Sequence, residues 1–180
     1  LFDGWNAAGK GSVLRNVILT LDPRNFTAKS TLPPTVEELR EPFLWRHWCS
    51  IPQWGDFAIY DKSWYPEVSN DRAMGKITAK EAVARMGSIN RFERQMADDG
   101  ALILMFFLHI GKKEQRQRMD KLAARKATAW RVSKEDYSRN KDYDKFLRAY
   151  EDMLARTDTS YAPWHVVPAH DRRIAMAQIY

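Results

Sequence analysis

The sequence predicts a three-layer α/β domain, with a parallel sheet between two sets of helices, built around a phosphate-binding loop. Gly4, Gly9 and Lys10 have the spacing G-x-x-x-x-G-K, and an amphipathic run follows at once. Such a loop turns backbone N–H groups and a lysine onto a phosphate at the start of a helix. Short apolar runs at Phe57–Tyr60, Leu102–Leu108 and Trp164–Val167 have the shape of buried parallel strands. They alternate with helical periodicities, which requires crossover connections and helices on both faces.

The elements follow in order. Leu1 and Phe2 are the remnant of a strand leading into the loop. Val13, Leu14, Val17, Ile18 and Leu21 give a helix over Lys10–Leu21 with one buried face, and Asp22-Pro23 ends it. Asn25–Pro34 is polar and reads as loop. Thr35 and Glu38 form a capping box for a helix carrying Leu39, Phe43, Leu44, Trp45 and Trp48, which Pro42 kinks or restarts. After a turn at Ile51–Gly55, the strand Phe57–Tyr60 ends on Asp61, and Ser63–Asp71 reads as loop. Ala82, Val83, Met86, Ile89 and Met96 mark a long helix, and Asp98-Asp99-Gly100 turns the chain into Leu102–Leu108. Lys112–Ala124 is a basic helix with an irregular continuation to Val132. Tyr143, Phe146, Leu147, Tyr150 and Leu154 face a core, Trp164–Val167 is a strand, and a helix begins at Arg172. No internal repeat or low-complexity segment interrupts this order.

The chain has 180 residues, the size of one domain with a sizeable core, and is 44% apolar, 29% charged and 12% aromatic. Its longest apolar run, Ala101–Leu108, is too short to cross a bilayer, and no signal-peptide succession is visible. A lone cysteine, Cys49, suits a reducing cytoplasm. The net charge of +6 favours an anionic partner: nucleic acid, polyphosphate or a nucleotide. There is no helix-turn-helix or zinc spacing to recommend nucleic acid, and a mildly basic solvated surface is the plain alternative. So little chain precedes the loop, and so little follows Arg172, that the sequence reads as a single domain, 1–180, excised from a longer protein.

Three groups of residues can carry chemistry. Gly4, Gly9, Lys10, Gly11 and Ser12 would cradle phosphate, with Lys10 neutralising the transferred group. The position after Lys10, where a hydroxyl would hold magnesium, is Gly11, so the metal must be held some other way. Asp61, an acid at the end of an apolar strand, is the candidate metal residue, with capping or pairing to Lys62 as its ordinary role. Arg116, Arg118, Lys121, Arg125 and Lys126, with Arg131, form a basic segment at about 112–132. It would close as a lid over phosphates, or serve as a solvated helix face interrupted by Glu114 and Asp120. The histidines show no metal spacing, His109 reads as a core residue, and the tryptophans read as core or loop anchors.

Together, Gly4–Gly11, Phe43–Trp48, Asp61–Tyr65, Asn90–Gln95 with Asp98–Gly100, Phe106–Ile110 and Ala162–Ala169 resemble the polyphosphate kinase 2 family in order and approximate spacing. The resemblance covers nearly the whole chain. It implies a thymidylate-kinase-like P-loop fold with a helical lid. It also implies magnesium-assisted phosphoryl transfer between inorganic polyphosphate and a nucleotide, AMP or ADP. An aspartate inside the loop, G-x-D-x-A-G-K-G, replaces the missing hydroxyl in the family, and here that residue is Asn6. The family's D-R-S-W-Y has Lys62 in place of arginine, another arginine two residues after the tyrosine is Glu67, and of the K-R-W run ending the lid only Trp130 is kept.

Asn6 and Lys62 therefore join Lys10 and Asp61 as residues on which catalysis or phosphate binding turns. Changes gathered in one site, with core segments intact, imply the alternative of a catalytically impaired domain that supports its partner or binds polyphosphate in a two-domain phosphotransferase. A fused partner domain or a homo-oligomer is expected on that account. An ordinary ATP-dependent nucleotide kinase is the remaining reading.

Overall fold

The computed structural model describes residues 1–22 and 24–180. Pro23, half of the expected stop to the first helix, lies outside the described residues. The strands are β1 (Phe2–Gly4), β2 (Phe26–Ser30), β3 (Phe57–Asp61), β4 (Met105–His109) and β5 (Trp164–Pro168). The helices are α1 (Lys10–Leu19), α2 (Trp45–Trp48), α3 (Pro66–Ala73), α4 (Ala79–Asp98), α5 (Lys112–Ala123), α6 (Lys134–Lys141), α7 (Tyr143–Thr157) and α8 (Arg172–Ile179).

The sheet is parallel throughout, in the order β2-β3-β1-β4-β5. β1 lies at its centre with β3 on one side and β4 on the other, so the chain reverses direction across the sheet at β1. Ligands of open parallel sheets bind beyond the strand ends at such a switch point. The alternation of side chains along β4 separates the two faces. Phe107 meets the rings of Tyr150 (α7) and Trp164, with centroids 5.2 and 6.3 Å away, whereas Phe106 stacks toward Phe2 and His165. Helices α3, α4 and α7 pack together on the Phe107 face. On the other, Val17 of α1 and Ile179 of α8 line the same cavity as Phe2 and Phe106. This is the expected three-layer arrangement.

Several segments differ from their sequence reading. Asn25–Pro34 contains β2, an edge strand with little apolar burial, held by its parallel ladder to β3. Hydrophobic patterning is blind to an element held in that way. The Thr35–Glu38 capping box forms, with Glu38 Oε2 accepting Thr35 N–H at 2.8 Å, but it opens only a 3₁₀ turn, Glu38–Arg40. Pro42 removes the donor needed to continue, and α2 starts afresh beyond it. Ser63–Asp71, expected as loop, contains the start of α3, with Pro66 in its first turn. Capping boxes at Thr78/Glu81 and Ser133/Asp136 fix the starts of α4 and of α6, the latter also unforeseen. β4 begins at Met105, and Leu102, expected within the strand, is 84% exposed.

β1 and β4 approach closely at Gly4, where φ is +117°. A Cβ there would lie 2.6 Å from Leu108 N and nearer still to its carbonyl oxygen. Trp5 N–H donates to that same carbonyl at 3.1 Å, so the strands cannot simply spread. G4A is therefore expected to destabilise the domain by about 3 kcal/mol, through overpacking and a left-handed backbone. A shift in the urea midpoint at constant slope would measure this.

Candidate active site

The loop between β1 and α1 lies at the strand ends. Its N–H groups at Ala7, Gly9, Lys10 and Gly11 take no acceptor among the described residues. Gly9, in the left-handed region at φ +102°, directs the chain into α1, whose N-terminus bears no side-chain cap. Free N–H groups at a helix start make an anion site. Gly11 has open space around it, and Ser12 lies in the first turn with its N–H bonded to Gly9 O.

Lys10 is 9% exposed, and its ammonium donates to Gly4 O at 2.9 Å and Trp5 O at 3.0 Å. Burial lowers its pKa, opposed by Asp3 and Asp61 and reinforced by Lys62. Asp3 was not singled out by the sequence reading. Buried in the middle of β1, it accepts from Ser63 Oγ at 2.5 Å, and burial raises its pKa. Asp3 and Ser63 thus tie β1 to the segment after β3, and the two acids compensate the buried lysine.

Asp61 closes β3 opposite Phe2 of β1, which places it beside the loop. Its Oδ1 is buried without a hydrogen-bond partner. No cluster of three or more metal-ligating side chains occurs among the described residues. Magnesium typically takes one or two protein carboxylates and completes its shell with phosphate oxygens and water. A buried Asp61 oxygen without a hydrogen-bond partner, beside a phosphate loop, fits that ion. Asn6 points elsewhere: its amide donates to Asp136 Oδ1 of α6 at 2.5 Å.

Lys62 holds a left-handed backbone, φ +62°, as does Ala7 at +61°. Each non-glycine residue in that region costs about 1–2 kcal/mol and must be held by its surroundings. Lys62 is held by its N–H to Phe2 O at 3.1 Å and by Thr31 Oγ1 donating to its carbonyl at 2.7 Å. Lys10, Lys62, Lys76, Arg85 and Arg139 all line one cleft of about 470 Å³, which runs from the loop to α3.

The expected lid residues separate into groups. Arg116 pairs with Asp120 and lies over the Tyr137 ring, while Lys121, Arg125 and Lys126 are exposed. Arg118 departs from the expectation of a solvent-facing lid cation. It faces inward and bonds the backbone of the phosphate loop and of the β5–α8 turn. The i, i+3 spacing of Gln115 and Arg118 on one face of α5 was the available sign, obscured by the surrounding charge.

Behind the site, Glu93 of α4 is wholly buried and accepts from Trp64 Nε1 at 2.9 Å and Tyr65 Oη at 2.7 Å. It anchors the segment that carries Asp61 and Lys62. Trp5 stacks on Tyr143 at 3.9 Å and is a core anchor as anticipated, and its indole donates to Nδ1 of His109, which is half-buried, at 3.2 Å.

The family model for polyphosphate kinase 2 matches residues 1–180. The chain belongs to the polyphosphate kinase 2 family. It is 34% identical over 178 residues to the polyphosphate:AMP phosphotransferase of Acinetobacter johnsonii, covering 99% of this chain and 37% of that protein. It is 35% identical over 179 residues to its Pseudomonas aeruginosa counterpart, covering 99% and 36%. The crystal structure of polyphosphate kinase 2 from Arthrobacter aurescens superposes with a TM-score of 0.95 at 31% identity, over 99% of this chain and 63% of that one. This polyphosphate kinase 2 chain thus spans little more than a third of the length of those two polyphosphate:AMP phosphotransferases.

At Glu67, where the resemblance implies an arginine, the carboxylate lies 3.5 Å from Arg46 Nη1 and 3.6 Å from His47 Nε2, and Arg46 also faces Glu38. The reversed charge is therefore compensated locally.

Glu93 makes stability depend on pH. Burial raises its pKa to about 7 from an ordinary 4.5, against the pull of its hydrogen bonds from Tyr65 and Trp64. The stability it contributes is full below about pH 4.5 and is lost as pH rises through about 7. Relative to wild type, E93Q is expected to gain about 3 kcal/mol between pH 4.5 and 8, as read from urea melts across that range.

Proposed function

We propose that the domain transfers phosphoryl groups between inorganic polyphosphate and a nucleotide, AMP or ADP, with magnesium. The observation that carries this reading is that Lys10, loop N–H groups without acceptors and an unpartnered Asp61 oxygen lie together at the strand ends, next to a cleft that Lys10 and Lys62 line. Relatives named polyphosphate:AMP phosphotransferase and AMP/ADP-polyphosphate phosphotransferase supply the substrates.

Phosphoryl transfer needs little covalent chemistry from the protein. A phosphate oxygen of the nucleotide forms the new P–O bond to the terminal phosphorus of polyphosphate while that phosphorus loses its bond to the bridging oxygen, which leaves on the polyphosphate chain one unit shorter. The loop N–H groups and Lys10 hold the transferred group, with Lys10 exchanging its carbonyl contacts for phosphate oxygens. Asp61 would hold magnesium, which when bound neutralises charge on the transferring group. Lys121, Arg125 and Lys126 are free to meet the polyphosphate chain, and Lys62 contributes a point charge where the family arginine would form a fork. Cytoplasmic location belongs to the same reading; no helix of the described residues is long and apolar enough to cross a membrane.

A second reading, an impaired domain supporting a fused partner domain or a second copy, rests on Asn6. Its amide is committed to Asp136, and a neutral amide is a poor substitute for a magnesium carboxylate.

Two experiments separate these readings. With polyphosphate as donor and AMP or ADP as acceptor, wild type is expected to outpace the same reaction with ATP, and D61N to lose at least about a hundredfold in rate. No polyphosphate-dependent transfer by wild type would leave the supporting role. N6D sets two carboxylates against each other, so without metal it should melt below wild type, and magnesium should raise its melting temperature more than that of wild type. An equal magnesium response in both proteins would place residue 6 outside the metal site.

A further inference from the structure

The loop's carbonyl groups are held from outside by side chains. Lys10 Nζ takes Gly4 O and Trp5 O, and Gln115 Nε2 takes Asn6 O at 3.2 Å. Arg118 Nη1 takes Ala7 O at 3.4 Å and Ala8 O at 3.1 Å. In a trans peptide the N–H points opposite to the C=O of the same unit. Fixing Asn6 O outward therefore turns the Ala7 N–H inward, and fixing Ala8 O turns the Gly9 N–H inward. Both are among the N–H groups without a protein acceptor. Between them lies Ala7, whose left-handed backbone is unfavourable for any residue with a Cβ.

The donors are themselves anchored. Gln115, 2% exposed, accepts from Asn140 Nδ2 at 2.8 Å through Oε1, and Asn140 also donates to Lys112 O. Arg118 Nε pairs with Glu114 at 2.6 Å, and its Nη2 donates to Ala169 O and His170 O at 2.8 Å each. One planar guanidinium thus bridges the phosphate loop and the β5–α8 turn, a geometry that a lysine ammonium cannot reproduce.

We propose that Gln115 and Arg118 are positioning residues that hold the Asn6–Ala7 and Ala8–Gly9 peptides with their N–H groups turned toward the bound phosphate, and that Arg118 stabilises the left-handed Ala7 on which this depends. The inference rests on the reading of the loop as a phosphate site. It assigns Arg118 a role through backbone geometry, distinct from charge supplied by a moving lid.

The test uses the full chain, amide NMR and titration with tripolyphosphate. R118K keeps the charge but loses the fork, and R118A loses both. Without ligand, both variants are expected to shift the amide signals of Asn6–Lys10. Both should bind tripolyphosphate about tenfold more weakly, the weight of one unsupported left-handed residue. In the R118A background, Ala7→Gly should recover most of that loss, because glycine adopts the conformation unaided. R118K alone is informative if R118A does not fold. The proposal is overturned if R118K binds as wild type, if the loop signals stay in place, or if A7G changes affinity equally with and without Arg118. Failure of wild type to bind tripolyphosphate would instead overturn the phosphate reading, and the ligand-free loop signals would still judge the role of Arg118.

Discussion

Backbone N–H groups turn toward an anion when the carbonyls of the same peptides are held on the opposite side. In this domain that arrangement reaches far beyond the loop. Lys10 folds back onto the first two carbonyls, while Gln115 and Arg118 of α5 take the next three. Because Gln115 is locked by Asn140 and Arg118 also grips the β5–α8 turn, helix α6 and the far edge of the sheet help to shape the anion site. Arg118 of the basic helix α5 is thus tied to the loop, whereas Lys121, Arg125 and Lys126 are exposed.

Buried charge is managed in the same local way. Lys10 is opposed by Asp3 and Asp61, Asp3 is held by Ser63, and the whole Asp61–Tyr65 segment hangs on Glu93 through Trp64 and Tyr65. The residues at which the resemblance implies a departure have charged or hydrogen-bonding neighbours, although at Glu67 these are ion-pair contacts of 3.5 and 3.6 Å without a hydrogen bond. Glu67 faces Arg46 and His47, Asn6 donates to Asp136, and Lys62 is pinned in a left-handed turn by Phe2 and Thr31. A buried charge or polar group without such partners is costly, so a change at one of these positions constrains the others. The loop keeps N–H groups without acceptors, while the Asn6 amide is committed to Asp136.

Much of this was legible in the chain itself. Gly4, Gly9 and Lys10 announce the phosphate loop because only such spacing lets backbone approach an anion at a helix start, and Asp61 announces itself as an acid ending an apolar run. The long helix α4 and strands β3, β4 and β5 follow from periodicity, since burial of one face or of both leaves a pattern in the order of residues. Edge strand β2 and helices α3 and α6 left weaker marks, being held by ladder bonds, a proline start and a capping box more than by an apolar stripe.

Sequence by itself determined the fold class, the phosphate loop and the family, because each is written in local spacing. Tertiary structure alone decided what the polar side chains are for. Arg118 looks like any other cation in a basic helix until its carbonyl partners, more than a hundred residues earlier in the chain, are in view. The same holds for Asp3, Gln115, Glu93 and Asp136. Their roles are set by hydrogen-bond partners that the fold supplies, and a hydrogen bond between distant segments leaves no periodicity in sequence.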